Sequence, residues 1–182
     1  MKLIEKEVIM DKEEIERTLL RLTHEILERN KGIKDLVLIG IRTGGVYLAE
    51  RMRAKIAAIE KAQVPLGIID ITLYRDDFAT GLPRPLVGKT EIPFPLKDKK
   101  VILIDDVLYT GRTVRAAMDA LIDFGRPKFI QLAVLIDRGH RELPIQADYV
   151  GKKVTTLPEE DVQVYFREAG AEDRAVVRVR VS

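Results

Sequence analysis

Short, continuous apolar runs recur along the chain, and segments with helical spacing separate them. In the first such segment Ile15, Leu19, Leu22 and Ile26 share one helical face. Continuous apolar runs of this length are typical of buried strands. The predicted strands are 36–41, 66–74, 101–104 and 129–136, with shorter ones at 149–150, 162–166 and 176–181, and the predicted helices are 11–31, 46–60 and 113–124.

The alternation of strands and helices predicts an α/β fold, in which helices flank a parallel sheet. Ligands of such sheets bind beyond the carboxyl ends of the strands. Polar loops follow Ile41, Ile104 and Ile136, so these three loops are candidates for a site. The segment 75–98 contains four prolines and is longer than a structural connection needs, which predicts an extended arm. With 182 residues, the chain is expected to be a single domain, 1–182.

Composition and charge exclude several classes of site and location. The chain has no cysteine, which excludes disulfides, a thiol nucleophile and Cys-ligated zinc. Its 31 basic and 29 acidic residues give a net charge of +2, so a nucleic-acid surface would require the charges to segregate. The first residues carry charges through any apolar stretch, unlike a signal peptide, and no run reaches membrane-spanning length. We therefore expect a cytoplasmic protein without a membrane partner.

The most informative segment is VILIDDVLYTGRT, at 101–113. Two adjacent carboxylates end the predicted strand, and a turn with hydroxyl groups and glycine opens the next helix. A helix start offers free N–H groups and a positive dipole end to a phosphate, and carboxylates accept hydrogen bonds from sugar hydroxyls. The segment thus predicts a phosphosugar site, although acids at a strand end also serve as helix caps or metal ligands. The residues expected to bind substrate are Asp105, Asp106, Val107, Leu108, Tyr109, Thr110, Gly111, Arg112 and Thr113.

A second anion site is predicted in the loop that follows the strand 36–41. Gly44 and Gly45 let backbone N–H groups approach an anion closely, and Arg42 can grip phosphate oxygens in a fork. Taken alone, Arg42, Thr43, Gly44 and Gly45 also fit a tight turn with an arginine in solvent. Paired with the acidic segment, they are candidates for holding a pyrophosphate.

The acidic segment resembles the phosphoribosyl pyrophosphate (PRPP) signature of type I phosphoribosyltransferases. This resemblance implies displacement of pyrophosphate from ribose C1 by a base nitrogen, with Asp105, Asp106 and Arg42 as the catalytic residues. Mg²⁺ is expected as a cofactor bound through PRPP oxygens and water, with no direct protein ligand. Arg84 in the arm is a candidate for the pyrophosphate, Arg138 and Val162 are candidates for the base, and the C-terminal residues are expected to form a small hood. The arm is equally open to a role in dimer formation.

Four stretches narrow the resemblance to one subfamily. They are His24-Glu25, DITLYRDD at 70–77, the segment 101–121 and QLAVLIDRGHRELPIQADY at 131–149. They look like the bifunctional pyrimidine operon attenuation regulators that are also uracil phosphoribosyltransferases. The resemblance implies conversion of uracil and PRPP to UMP, and binding of the operon's leader mRNA when UMP or UTP is plentiful. It also implies a homodimer or a larger homo-oligomer.

Basic residues on the first helix offer limited independent support for RNA binding. Arg17, Arg21 and His24 fall on one face opposite the apolar stripe, which from charge alone fits an ordinary solvated face equally well. Arg138, Arg141, Lys152 and Lys153 form a second basic group, which together with the first could make a surface that binds RNA phosphates. The resemblance associates Arg21, His24, Arg29, Arg141 and Lys152 with RNA, while Gln146 stands where relatives commonly carry arginine.

Two other functions stay open at this point. One is a salvage phosphoribosyltransferase without an RNA-binding role. The other is a DNA-binding repressor on the same fold, for which the chain has no spare length. His24 and His140 lack a local ligand motif, so no protein-bound metal is expected at either.

Overall fold

The protein is described by a computed structural model, which covers residues 2–72 and 89–181. Arg84 and most of the predicted arm lie outside these residues. The strands are β1 (Lys2–Met10), β2 (Leu36–Ile41), β3 (Leu66–Ile69), β4 (Lys100–Leu108), β5 (Phe129–Asp137), β6 (Tyr149–Lys153), β7 (Glu160–Tyr165) and β8 (Arg174–Val181), and the helices are α1 (Lys12–Asn30), α2 (Gly44–Glu60) and α3 (Arg112–Ile122).

A five-stranded parallel sheet with the order β3-β2-β4-β5-β6 forms the centre of the molecule. Alternate residues of its strands face opposite sides, so the sheet has two apolar faces. Leu38 and Ile102 pack on one face with residues of α1 and α2. Ile39 and Leu103 pack on the other face with α3. The predicted parallel sheet flanked by helices is confirmed, and β4 lies at its middle.

The hood is a separate antiparallel sheet with the order β1-β8-β7, together with the segment 166–173 that joins β7 to β8. The expectation that it is purely C-terminal is wrong, because β1 forms its third strand and pairs Lys2 with Val181. The register between β1 and β8 shifts twice, between Glu5 and Glu7 and between Val8 and Met10. These shifts interrupt the alternation by which a strand is recognised in a sequence.

Several boundaries differ from the apolar pattern. The strand β4 continues to Leu108, because Asp105 and Val107 keep their pairing with β5, so the two acids lie within the strand. The helix α2 begins at Gly44, two residues before the predicted start. The helix α3 begins at Arg112 and ends at Ile122.

Both ends of α1 have a recognisable capping structure. Asp11 and Glu14 form a reciprocal capping box at its start, as the sequence predicts. The helix ends before Lys31, whose backbone is left-handed. None of the helices in the described part of the chain is both long and apolar enough to cross a membrane.

Candidate active site

The two acids of β4 occupy different environments. Asp105 is buried and accepts a hydrogen bond from the Asp106 N–H at 2.9 Å, whereas Asp106 is half-buried. Asp106 in turn accepts from the Val107 N–H at 2.8 Å. Burial, together with the neighbouring charge of Asp106, raises the pKa of the Asp105 carboxyl well above its ordinary value. The pair therefore holds a desolvated carboxylate that hydrogen-bond donors from a ligand would stabilise.

The start of α2 approaches this pair closely, and only glycine permits the approach. A Cβ on Gly44 would lie 2.3 Å from Asp106 Oδ2, and one on Gly45 would lie 2.2 Å from the Ile104 carbonyl oxygen. Just before them, the Arg42–Thr43 peptide bond is cis. Arg42 Nη2 donates to the Lys89 carbonyl at 2.7 Å, and its Nε lies 4.0 Å from Asp70 Oδ2. The predicted pyrophosphate loop thus lies directly against the acid pair.

The helices α2 and α3 both begin beside the acid pair, and the N-cap residue of neither supplies a side-chain cap, although the Thr110 hydroxyl accepts from the Arg112 N–H at 3.2 Å. No side-chain cap bond is made by Thr43 to α2 or by Gly111 to α3, whereas α1 has its capping box. Gly111 has φ of 92°, a left-handed conformation that favours glycine. First-turn N–H groups without a partner and the positive dipole end are features with which a helix start can bind an anion.

Two cavities lie at these helix starts. The larger has a volume of about 600 Å³ and lies between the start of α2, the acid pair and the hood. The smaller, of about 340 Å³, is formed by the loop from β4 to α3. Both are lined by Asp105, Val107 and Thr113, so the acid pair stands between them. The sequence-predicted residues in the larger cavity are Arg42, Thr43, Gly44, Asp105, Asp106, Val107 and Thr113, and those in the smaller are Asp105, Val107, Leu108, Tyr109, Thr110, Gly111, Arg112 and Thr113.

The hood supplies a wall that the sequence does not reveal. Tyr165, Phe166, Ala169 and Ala171 line the larger cavity, and the Phe166 ring lies 5.4 Å from the Tyr47 ring. Apolar residues near the end of the chain indicate a strand but not what that strand covers. Nothing in the local pattern therefore points to these residues.

Asp70 is a further wall residue without a predicted role. It is buried at the end of β3 and accepts from the Thr72 N–H at 2.8 Å. The strand was expected to continue to residue 74, which would have placed Asp70 inside it. The sequence signal that could have identified Asp70 is an acidic residue at the carboxyl end of a parallel strand, where ligands of such sheets bind.

Arg138 and Val162, the predicted base-binding residues, are both buried and line neither cavity. Arg138 Nη2 donates to the Glu160 carbonyl at 2.7 Å, and its guanidinium lies 3.9 Å from the centroid of the Tyr109 ring. The expectation that Arg138 belongs to a surface basic group is therefore wrong. Its contact with Tyr109 places it behind the smaller cavity, and a role at the base stays a prediction.

Four of the predicted RNA-binding residues lie along α1 and β6. His24 and Arg29 are exposed, and Arg29 pairs with Asp148 at 3.2 Å. Arg21 donates to the Gly151 carbonyl at 2.7 Å, and Lys152 donates to the Ile9 carbonyl at 2.7 Å. These contacts hold Arg21, Arg29 and Lys152 near β6 or the residue before it, and His24 lies about one turn after Arg21 on α1.

Arg141 is engaged within the protein. Its guanidinium donates to Asp137 at 2.8 Å, to the Tyr109 carbonyl at 2.6 Å and to the Ile145 carbonyl at 2.8 Å. Arg141 therefore fixes the loop of the smaller cavity to the segment that follows β5. Substitution of Arg141 would disturb both surfaces, which makes it a poor probe of RNA binding alone.

The donor set suits a magnesium ion that is held mainly by a substrate. The carboxylates of Asp70, Asp105 and Asp106 line one cavity, and hard oxygen donors are those that Mg²⁺ prefers. Within 2–72 and 89–181, no three metal-ligating side chains form a cluster that could hold an ion unaided.

A comparison with protein families and curated relatives identifies what the chain resembles. Residues 7–168 match the model of the phosphoribosyl transferase domain. A protein from Pelotomaculum thermopropionicum named bifunctional protein PyrR is 60% identical over 95% of this chain and 96% of its own. A protein of the same name from Geobacter sulfurreducens is 61% identical over 87% of this chain and 90% of its own.

Solved structures agree on the fold. A hypoxanthine phosphoribosyltransferase from Staphylococcus aureus superimposes with a TM-score of 0.70 over 94% of this chain and 92% of its own. The two sequences are 24% identical, so this likeness concerns the fold alone.

Proposed function

The chain belongs to the phosphoribosyltransferase family, and from its membership of the PyrR group we propose that it converts uracil and PRPP to UMP and pyrophosphate. We propose also that it regulates pyrimidine biosynthesis by transcription attenuation, through binding of the pyrimidine operon leader mRNA when UMP or UTP is bound. Substrates and transcript are molecules of the cytoplasm, where we place the protein. A homodimer or larger homo-oligomer stays a prediction from the family.

The observation that carries the transferase proposal is the pair of helix starts on either side of the acid pair, where neither N-cap residue makes a side-chain cap bond. PRPP has the matching shape, with a phosphate at one end, a pyrophosphate at the other and a ribose diol between them. The start of α3 would hold the 5′-phosphate and the start of α2 the pyrophosphate. Asp105 and Asp106 would accept hydrogen bonds from the ribose hydroxyls.

The reaction displaces pyrophosphate from ribose C1 by a uracil nitrogen: the C1–oxygen bond breaks, a C1–nitrogen bond forms, and the proton of that nitrogen passes to a pyrophosphate oxygen or to water. Charge develops on the ribose ring as on an oxocarbenium ion and on the departing pyrophosphate. The acid pair lies where it can stabilise the ring, and Arg42 and the N–H groups of α2 where they can stabilise the leaving group. Bound Mg²⁺ would add a Lewis acid at the phosphate oxygens. The hood would exclude water from the larger cavity.

The transferase proposal is tested by steady-state formation of UMP. Replacement of both acids, Asp105→Asn with Asp106→Asn, should lower the PRPP-dependent rate by about 10²-fold or more, the scale of a lost electrostatic contact at the reacting centre. Circular dichroism should show that the double variant stays folded. Asp119→Asn, an exposed acid on α3, is the matched control and should keep the wild-type rate. Near-normal turnover by the double variant would refute the ribose role of the acids.

RNA binding is tested by gel shift with a pyrimidine leader transcript, with and without UMP. His24→Ala, combined with Arg29→Gln, should weaken RNA binding by about tenfold, on the scale of one or two lost phosphate contacts, and leave UMP formation unchanged. Both side chains are exposed and lie away from the cavities. Failure of the wild-type protein to bind with UMP present would leave a salvage transferase without an RNA-binding role.

A further inference from the structure

Arg51, on α2, is one of the few buried cations of the described chain, and two carboxylates hold it. Its Nε and Nη2 donate to the two Glu168 carboxylate oxygens at 2.7 and 2.6 Å. Its Nη1 and Nη2 donate to the two Asp173 oxygens at 3.0 and 2.7 Å. Both contacts are therefore bidentate, the geometry that makes an arginine–carboxylate pair strong and directional.

The two carboxylates bracket the outer wall of the larger cavity. Glu168 and Asp173 flank Ala169 and Ala171, which line that wall. Asp173 also accepts the Arg167 N–H at 2.8 Å, so it fixes both ends of the turn. The position of this wall over the cavity therefore depends on the arginine.

The same helix carries the opposite wall. Gly44 begins α2 at the predicted pyrophosphate loop, and Arg51 lies about two turns further along. Between them Tyr47 packs on the Phe166 ring, and the Arg51 guanidinium lies 5.6 Å from the same ring. One rigid helix thus holds the two sides of the cavity at a set separation.

Electrostatics favour the ionised cluster. Burial opposes the charge on Arg51, yet the hydrogen bonds that Arg51 donates to Glu168 and Asp173 outweigh it and raise the pKa of the guanidinium. The hydrogen bond from Arg51 lowers the pKa of Glu168. For Asp173 the cost of burial is likewise outweighed by Arg51, and its pKa is lowered. The cluster stays charged at neutral pH.

We infer that Arg51 is a positioning residue for the transfer reaction, which sets the 167–173 segment at the distance from α2 that the pyrophosphate end of the substrate requires. This inference rests on the proposed transferase function. The pyrophosphate group is bound both before and during bond breaking. A displaced wall should therefore weaken binding of this group more than it slows the chemical step. Loss of such uniform binding raises KM and leaves kcat unchanged.

Arg51→Lys is the decisive variant, because lysine keeps the charge but cannot make two bidentate contacts. The KM for PRPP and the Kd for magnesium pyrophosphate, measured by calorimetry, should both rise about tenfold, with kcat within about twofold of wild type. The KM for uracil should not change. Glu168→Gln leaves the contact between Arg51 and Asp173 in place, so it should raise the same two constants by a smaller factor. Arg53→Lys, on the same helix and partly exposed, is the matched control.

Each outcome decides a different point. If Arg51→Lys lowers the melting temperature yet keeps both constants at the values of Arg53→Lys, Arg51 is only structural and the inference is wrong. A tenfold fall of kcat in Arg51→Lys, with unchanged binding of magnesium pyrophosphate, would also overturn the inference. Wild-type protein that binds magnesium pyrophosphate but forms no UMP would contradict the proposed transferase function and not the role of Arg51 in binding.

Discussion

The burial of Asp105 illustrates, at the scale of one residue, how a ligand site can cost stability. Its pKa in the folded protein is raised above the ordinary value of 3.8, so the folded state binds more protons than the unfolded chain between that value and the raised one. Stability is therefore lost as pH rises through this interval, because ionisation of the buried carboxyl opposes folding. Ribose hydroxyls that donate to Asp105 would stabilise its ionised form.

Asp105→Asn should accordingly stabilise the unliganded protein while it lowers UMP formation. Removal of the buried charge is worth about 1 to 3 kcal/mol, which raises the melting temperature by several degrees. The gain, measured by differential scanning calorimetry at pH 7, should shrink as the pH is lowered, because protonation removes the charge from the wild-type carboxyl as well. A melting temperature of Asp105→Asn below that of wild type at pH 7 would contradict the prediction, because it would show that the wild-type carboxyl stabilises the fold.

The start of α2 shows, at the scale of an element, how glycine brings a helix against a strand. A Cβ on Gly45 would meet the backbone of β4, whereas one on Gly44 would meet the movable carboxylate of Asp106. The two substitutions therefore differ in what must move.

Gly45→Ala should destabilise the protein by about 1 to 3 kcal/mol, the range of overpacking, because the helix must shift. Gly44→Ala should cost less stability, since alanine also favours a helix. Both should abolish most UMP formation, because both displace the anion-binding end of α2 from the acid pair. Urea unfolding compares the two, and equal stability losses would contradict the distinction between backbone and side-chain neighbours.

Elements with strong local patterns were predictable from the sequence, and those set by distant partners were not. The central strands, α1 and the glycine-containing loops beside the acid pair follow from apolar runs, a capping pair and glycine. The strand β1 was missed, because its two register shifts break the alternation and its partner β8 lies at the other end of the chain. Arg138 and Arg141 were read as surface cations, since no local pattern reveals the carbonyl groups that bury one and engage the other.

At the scale of the whole molecule, a fall in pH should destabilise the hood, whereas protonation of Asp105 should stabilise the central sheet. Three hood carboxylates have lowered pKa values: Glu160 through the hydrogen bond from Lys6, Glu168 through that from Arg51, and Asp173, where Arg51 outweighs the cost of burial. A lowered folded pKa gives stability that is present above the unfolded value and lost as pH falls below it. The unfolded values are 4.5 for Glu and 3.8 for Asp.

Acidification below about pH 4.5 should therefore loosen the hood before the central sheet. Hydrogen exchange followed by mass spectrometry should show β7 and β8 losing protection relative to β4 and β5 in the same sample. Glu168→Gln should reduce this difference, because one of the titrating contacts is already gone. Uniform loss of protection across both sheets would contradict a separate response of the hood.

The pairing of β1 with β8 also has a consequence for the order of events during synthesis. The strand β1 is synthesised before β8, its partner, so the three-stranded cover cannot assemble until β8 has left the ribosome. The parallel core, whose strands all lie between them, can form earlier. A polypeptide from which β8 has not yet emerged would thus present an open cleft, and retention of substrate would begin only when β8 joins β1.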